Sequence, residues 1–280
     1  MLTAIQFHRE IRAGSSLPLL VEATDGRLYV VKPRGSGDGL VASVTDWIAL
    51  QLATVLGLPA VHPCVIQIPP GFDAQAQDPE VRELIARSCG PNLATLWVAD
   101  ARPTNDGDLE RMPAHLRQQL FLLDLLLLNI DRGPQNNNVL MTASGPRFID
   151  FASSMAIRAA ACGTVLEDWR HLRQLRTNIF YRSTINPAEF IERLIKISPS
   201  QIHEITSGIP DDWLQVVQPA ADREQSRQAL NDRVLSLLQS SPLLNERLIA
   251  VHGLVAETEA ERKERSASSK EAFMRRFGRI

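Results

Sequence analysis

Aromatic side chains are scarce in this chain, at 5% of 280 residues, and no stretch of it stays apolar for long. The longest apolar run, residues 120–128, is broken by Asp124 and falls far short of the roughly 20 residues a helix needs to cross a bilayer. Cysteine is limited to Cys64, Cys89 and Cys162, an odd number, widely spaced and without a Cys-x-x-Cys pair. That pattern excludes a disulfide framework, a zinc motif and a thiol-exchange motif. An excess of one charge is missing too: thirty Lys and Arg against thirty-two Asp and Glu leave −2. No global basic field therefore marks the chain for nucleic acid or a membrane surface. The first residues have no basic region leading into an apolar segment, so no secretory signal is visible and the expected location is cytoplasmic.

What is present is ordinary in bulk, with 44% hydrophobic residues to bury a core, and unusual in one place. Residues 125–128 are all Leu and must be buried, yet they lead directly into Asn129, Asp131, Arg132, Asn136, Asn137 and Asn138. So many polar groups beside a core helix need a reason. A short apolar run follows at 139–141, then the turn formers Ser144, Gly145 and Pro146, and then Phe148 and Ile149 deliver Asp150. The pattern predicts a hairpin with a carboxylate at its end.

Upstream, residues 17–23 and 27–32 have strand character and are joined by Thr24-Asp25-Gly26, a strong hairpin signal. The second strand closes on Lys32. Pro33 to Gly39 follow, a segment in which Gly35 and Gly37 let backbone N–H groups approach an anion, without the Gly-Lys-Ser/Thr ending of a Walker A loop. A helix is expected over 40–56, with Val44, Ile48 and Leu52 on one stripe, Asp46, Ala49 and Ala53 on another, and Gly57 as its C-cap. Asp46 is the one carboxylate on that face able to reach inward.

A strand is expected at 64–68 and a short helix at 80–87, within a stretch from 69 to 113 otherwise punctuated by Pro and Gly and expected to connect two lobes. Asn105-Asp106-Gly107-Asp108 lacks the closing glutamate of an EF-hand and is expected to be a turn. Pro113 starts a helix through Leu116, Leu120, Leu123 and Leu127. Further helices are expected near 164–177, 187–197, 199–207, 211–217, 222–239 and 243–253, before a charged tail. His171 and His203 have no metal-spaced partners and are expected to be structural.

Asn129-x-Asp131-Arg132 followed by Asn136, and then Ile149-Asp150, resembles the HipA-like branch of the protein-kinase-like superfamily, with phosphoinositide kinases as more distant relatives. Leu56-Gly57-Leu58-Pro59 and Ile209-Pro210-Asp211-Asp212-Trp213-Leu214 resemble a corner and a helix start of the same family. The resemblance implies an α+β, two-lobed protein-kinase-like fold. Its parts are a small sheet-plus-helix N-lobe at 1–69 that binds phosphates, a mostly helical C-lobe at 70–255 and a tail at 256–280.

The resemblance also implies transfer of the ATP γ-phosphoryl group to a hydroxyl, expected to be Ser or Thr of a protein, with Mg²⁺ as cofactor. On that expectation Lys32 holds phosphates, with Gly35 and Gly37 beside it and Asp46 anchoring it. Asp131 is the base, Arg132 braces the loop, and Asp150 binds metal together with Asn136 or, two residues on, Asn138. Asp46 stands where the family usually has Glu, so a direct pair with Lys32 requires the helix to lie nearer the strand, or a water to bridge. Phe151-Ala152 stands where many kinases have Phe-Gly, which makes an in/out flip of this segment less expected.

Two other readings stand beside this one. The first is a nucleotide-binding regulator without useful turnover. The second is a kinase acting on a small molecule or lipid headgroup, with Phe72, Leu93 and Trp97 near the presumed cleft. An antitoxin-like partner would be a further trait of the family, and no residue here specifies one.

Overall fold

Alternation along the first hundred residues produces strands that have partners on both sides. In the computed structural model, which describes residues 1–12, 17–37, 39–166, 168–182, 185–217, 222–239 and 241–254, five strands close into a barrel. They are β1 (Leu2–Glu10), β2 (Leu19–Ala23), β3 (Leu28–Lys32), β4 (Pro63–Ile68) and β5 (Gly90–Leu96), in the order β1-β2-β3-β5-β4. The Asp25-Gly26 turn behaves as expected: Gly26 takes φ 74°, a conformation that costs a side chain energy, and β2 and β3 pair antiparallel around it. Closure comes from β4 pairing parallel with β1, which leaves no open sheet edge in this barrel. Its interior is filled by Leu19, Val21, Val31, Ile66 and Ile68, with Phe72, Val81 and Ile85 in the same core cluster.

Between β3 and β4 runs α1 (Gly39–Val55), close to the expected 40–56, and α2 is Pro79–Arg87. Both faces of α1 are buried, not one stripe, because it is wedged between the barrel and the helical half. Trp47 of α1 stands edge-on to Trp213 with ring centroids 6.3 Å apart and donates its indole N–H to the Ile205 carbonyl at 2.9 Å. Gly208 lies under that indole. A Cβ there would come within 2.5 Å of the Trp47 ring.

The expected boundary at residue 69 is corrected: β5 lies beyond it and pairs with both β3 and β4, so the sheet unit extends to Leu96. The stretch from Gly90 is strand, not connection. Asn105 to Asp108 is not a plain turn either. Asn105 and Asp108 form a reciprocal capping box that starts α3 (Asp106–Arg111). A second sheet is built from β6 (Arg102–Pro103), β7 (Val139–Thr142) and β8 (Gly145–Phe148), the last two being the expected hairpin.

The helical half is organised on α4 (Ala114–Leu127), whose Leu residues from 120 to 127 are all fully buried. Around it lie α5 (Met155–Cys162), which periodicity did not single out, α6 (Asp168–Leu175), α7 (Ala188–Leu194) and α8 (Pro199–Ser207). A 3₁₀ helix at Asp211–Val216 precedes α9 (Arg223–Gln239) and α10 (Ser241–Gly253). Asp38 and the tail at 256–280 lie outside the described residues. Among the described residues no helix is long and apolar enough to cross a membrane.

Candidate active site

Strand alternation turns Val31 into the barrel and Lys32 to the opposite face, where it stands directly across from buried Leu93 of β5. The Lys32 ammonium donates to Asp46 Oδ2 at 2.7 Å and to Asp150 Oδ1 at 2.8 Å. Asp46 is 1% exposed, and its other oxygen accepts the Phe151 backbone N–H at 2.7 Å. One short carboxylate thus joins β3, α1 and the segment after β8. The pair with Lys32 is direct and needs no bridging water.

Asp150 is placed by unusual backbone. It has φ 54°, and Asn138, with φ 51°, faces it across the hairpin: Ile149 N–H donates to the Asn138 carbonyl at 3.1 Å. Asn and Asp tolerate the left-handed region better than most residues. The Leu56 to Pro59 corner holds the same strand from the other lobe. Phe148 N–H donates to the Pro59 carbonyl at 2.9 Å, and Val61 N–H donates back to the Phe148 carbonyl at 3.0 Å.

The loop carrying Asp131 leaves α4 through Leu128 at φ 51°, a conformation that costs a side chain about 1–2 kcal/mol. Behind it sits Asp124, 0% exposed, which accepts from Asn129 Nδ2, Arg132 Nε and Asn178 Nδ2, each at 2.8 Å. Arg132 also donates to the carbonyls of Asn137 and Asn138, both at 2.9 Å, and its guanidinium lies 4.9 Å from the Phe151 ring centroid. At 1% exposure Arg132 is buried behind the loop surface. Its hydrogen bonds to Asp124 and to the Asn137 and Asn138 carbonyls brace the loop from within. Sequence reasoning missed Asp124 as a hub; the available signal was a carboxylate inside the Leu run at 122–128, which burial requires to be paired.

Asp131 accepts from exposed Asn136 Nδ2 at 2.7 Å. Asn138 is buried beside it, with Nδ2 3.4 Å from the Asp150 carbonyl. Burial raises the Asp131 carboxyl pKa, the Asp150 charge raises it further, and hydrogen bonds from Asn138 and Asn136 only partly offset them. Burial also pushes Asp150 up, but the charge and hydrogen bond of Lys32 reverse this and hold Asp150 below the usual carboxylate range. Burial alone would lower the Lys32 pKa. The charges of Asp150 and Asp46 outweigh it and keep the ammonium protonated above its ordinary value.

The expected phosphate loop is only partly where it was placed. Gly35 N–H is committed to Ser88 Oγ at 3.1 Å, and a Cβ on Gly35 would meet Arg87 Cβ at 2.8 Å. Gly35 is thus required for packing on α2, and its N–H does not face the site. Gly37 stands in open space. Of the apolar residues named for the cleft, Leu93 lies on the Lys32 face, Phe72 is in the barrel interior, and Trp97 lies under the Arg9 guanidinium at 5.8 Å.

The donor set fits a hard cation shared with phosphates. Both hydrogen bonds to the Asp150 side chain end on Oδ1, and among the described residues Oδ2 accepts none. Asn136 and Asn138 add amide oxygens nearby. Among the described residues no group of three or more His, Cys, Asp or Glu is arranged to hold a metal ion by itself. One or two carboxylates with substrate oxygens, rather than an all-protein cage, is how Mg²⁺ is usually held.

Three solved structures to which the chain is similar at low identity are kinases. The Helicobacter pylori proinflammatory kinase CtkA is 12% identical, covering 89% of this chain and 96% of its own, with a TM-score of 0.47. The Golgi casein kinase is 12% identical, with 91% and 76% covered and a TM-score of 0.45. The MAP kinase LmaMPK10 from Leishmania major is 11% identical, with 96% and 94% covered and a TM-score of 0.22. No curated protein matches the sequence. The decisive match is to a family model for HipA-like kinases, and it runs over residues 4–241, from β1 through the whole of α9 and so across Lys32, Asp46, Asp131 and Asp150. The chain belongs to the HipA-like kinase family.

Proposed function

We propose that this kinase transfers the γ-phosphoryl group of ATP to a Ser or Thr hydroxyl of a protein in the cytoplasm, using Mg²⁺. The observation that carries the reading is the junction of Lys32 with Asp46 and Asp150, at 2.7 and 2.8 Å, brought together from β3, α1 and the end of the hairpin. Mg²⁺, when bound, offsets phosphate charge and orients the transferred group. Asp150 would hold it through Oδ2, together with the amide oxygen of Asn136 or Asn138. Lys32, held by Asp46, would donate to the α- and β-phosphates, with the barrel and α1 forming the phosphate-binding half.

Asp131 would accept the proton of the attacking hydroxyl, and its raised pKa makes it a better base than an ordinary Asp. Asp124 and Arg132 would keep it aimed. The direct Lys32 and Asp46 pair favours catalysis over a regulator without turnover, because the shorter carboxylate still reaches the ammonium, although no His stands beside the Asp131-Arg132 pair.

Mass spectrometry after incubation with Mg²⁺ and γ-labelled ATP tests the proposal. Label on Ser or Thr of the protein or of an added protein acceptor is the expected result. ATP binding with no transfer under any acceptor would favour the regulator, and transfer only to a small molecule or lipid would replace the acceptor class.

A further inference from the structure

The helix that closes the described chain grips the end of the helix that launches the presumed catalytic loop. Arg247 of α10 is 4% exposed, and its guanidinium donates to the backbone carbonyls of both Leu125 and Leu126. These belong to the last turn of α4: apart from Arg247 the Leu125 carbonyl accepts a long 3.4 Å bond from the C-cap Leu128 N–H, and the Ile130 N–H that would reach Leu126 donates instead to the Ser153 carbonyl. The Leu126 carbonyl needs a partner, because the surrounding residues are fully buried. A cation there also opposes the partial negative charge of the helix end. Just beyond, Leu128 makes the left-handed exit, and three residues later comes Asp131.

A second link from α10 reaches the same loop. The Tyr181 hydroxyl and His252 Nδ1 of α10 are 2.8 Å apart. Tyr181 belongs to the segment in which Asn178 bonds Asp124 at 2.8 Å and Ile179 N–H donates to the Arg132 carbonyl at 3.3 Å. Yet the match to the HipA-like family ends at residue 241, where α10 begins. The support therefore comes from residues beyond the matched region.

We propose that Arg247 is a positioning residue for phosphoryl transfer: it anchors the strained exit of α4 from outside and thereby sets the place of Asp131. The inference rests on the role of Asp131 given above. It concerns turnover and not nucleotide affinity, because Lys32, Asp46 and Asp150 hang on β3, α1 and β8 and not on α4.

The test compares Arg247→Met, which keeps the stem but loses the donors, with Arg247→Lys and with Leu244→Ala, a buried change on the same helix with no polar bond to α4. In Arg247→Met, kcat should fall by about 10- to 100-fold while KM for ATP stays within about twofold. Arg247→Lys should recover part of the loss, since an ammonium can serve one carbonyl. Amide exchange over residues 124–133 should quicken in Arg247→Met and not in Leu244→Ala. A kcat near the parent value in Arg247→Met, or an equal loss in Leu244→Ala at matched folded fraction, would overturn the proposal. If Arg247→Met does not fold, Arg247→Lys against Leu244→Ala decides by the same criteria. A parent that transfers no phosphoryl group would overturn the assigned function instead, and the exchange comparison would still decide whether Arg247 holds the loop.

Discussion

Lys32 and Asp150 are 118 positions apart in sequence and 2.8 Å apart at their charged atoms. Asp46 shares the same ammonium at 2.7 Å, so one cation serves two carboxylates from two further elements. The junction is therefore structural as well as chemical.

Removing the cation should have two separable effects. Lys32→Met should weaken ATP binding and also destabilise the fold by about 3–5 kcal/mol, the usual cost of leaving a buried charge without its partner. Adding Asp46→Asn should restore much of the stability without restoring nucleotide binding. Urea unfolding and calorimetric titration with ATP measure the two effects, and a Lys32→Met protein with unchanged ATP affinity would remove the lysine from the site.

Asp46→Glu should be harmful although Glu is the family's usual residue here. The carboxylate is fully packed and already within 2.7 Å of both the Lys32 ammonium and the Phe151 N–H. An extra methylene in such a site costs about 1–3 kcal/mol. Thermal unfolding and kcat should both decline. A Glu variant as stable and as fast as the parent would mean that α1 can move away from β3.

The two presumed catalytic carboxylates should fail differently. Asp150→Asn should weaken Mg²⁺-dependent nucleotide binding along with turnover, because a charged ligand is lost. Asp131→Asn should bind ATP normally and lose about 10²- to 10⁴-fold in transfer rate, the range for a positioned general base. Full turnover in Asp131→Asn would sink the mechanism.

The raised pKa of Asp131 makes a prediction with a definite sign. A group that holds its proton more tightly when folded contributes stability below its unfolded pKa and loses it as pH rises through the folded one. At neutral pH the Asp131 charge is therefore a burden on the fold. Asp131→Asn should be more stable than the parent at pH 7, and the gain should disappear as pH falls below the ordinary Asp value of about 3.9. In Asp150→Asn the Asp131 pKa should drop, since the Asp150 charge helps to raise it. Carboxyl ¹³C shifts followed through a titration show both, and an Asp131 pKa that rises in Asp150→Asn would contradict the placement of the two groups.

Much of this protein was legible along the chain. Asp25-Gly26 specified a hairpin, alternation placed Lys32 at its end, helical periodicity found α1 and α4, and Asp131, Asn136 and Asp150 stood out as polar groups that an apolar neighbourhood had to justify. Those are local properties, set by backbone preference and by the period of side-chain burial. What the sequence could not determine is which elements meet. The pairing of β5 with β3, the capture of Asp124 by Asn129, Arg132 and Asn178, and the grip of Arg247 on α4 each join residues whose partners no local pattern names. The reach of Asp46 is the sharpest case. Composition shows only that it is one methylene shorter than Glu, and the tertiary placement of α1 against β3 decides that it touches Lys32 at 2.7 Å, because an ion pair depends on the distance between two elements and only close packing of the whole fold sets that distance.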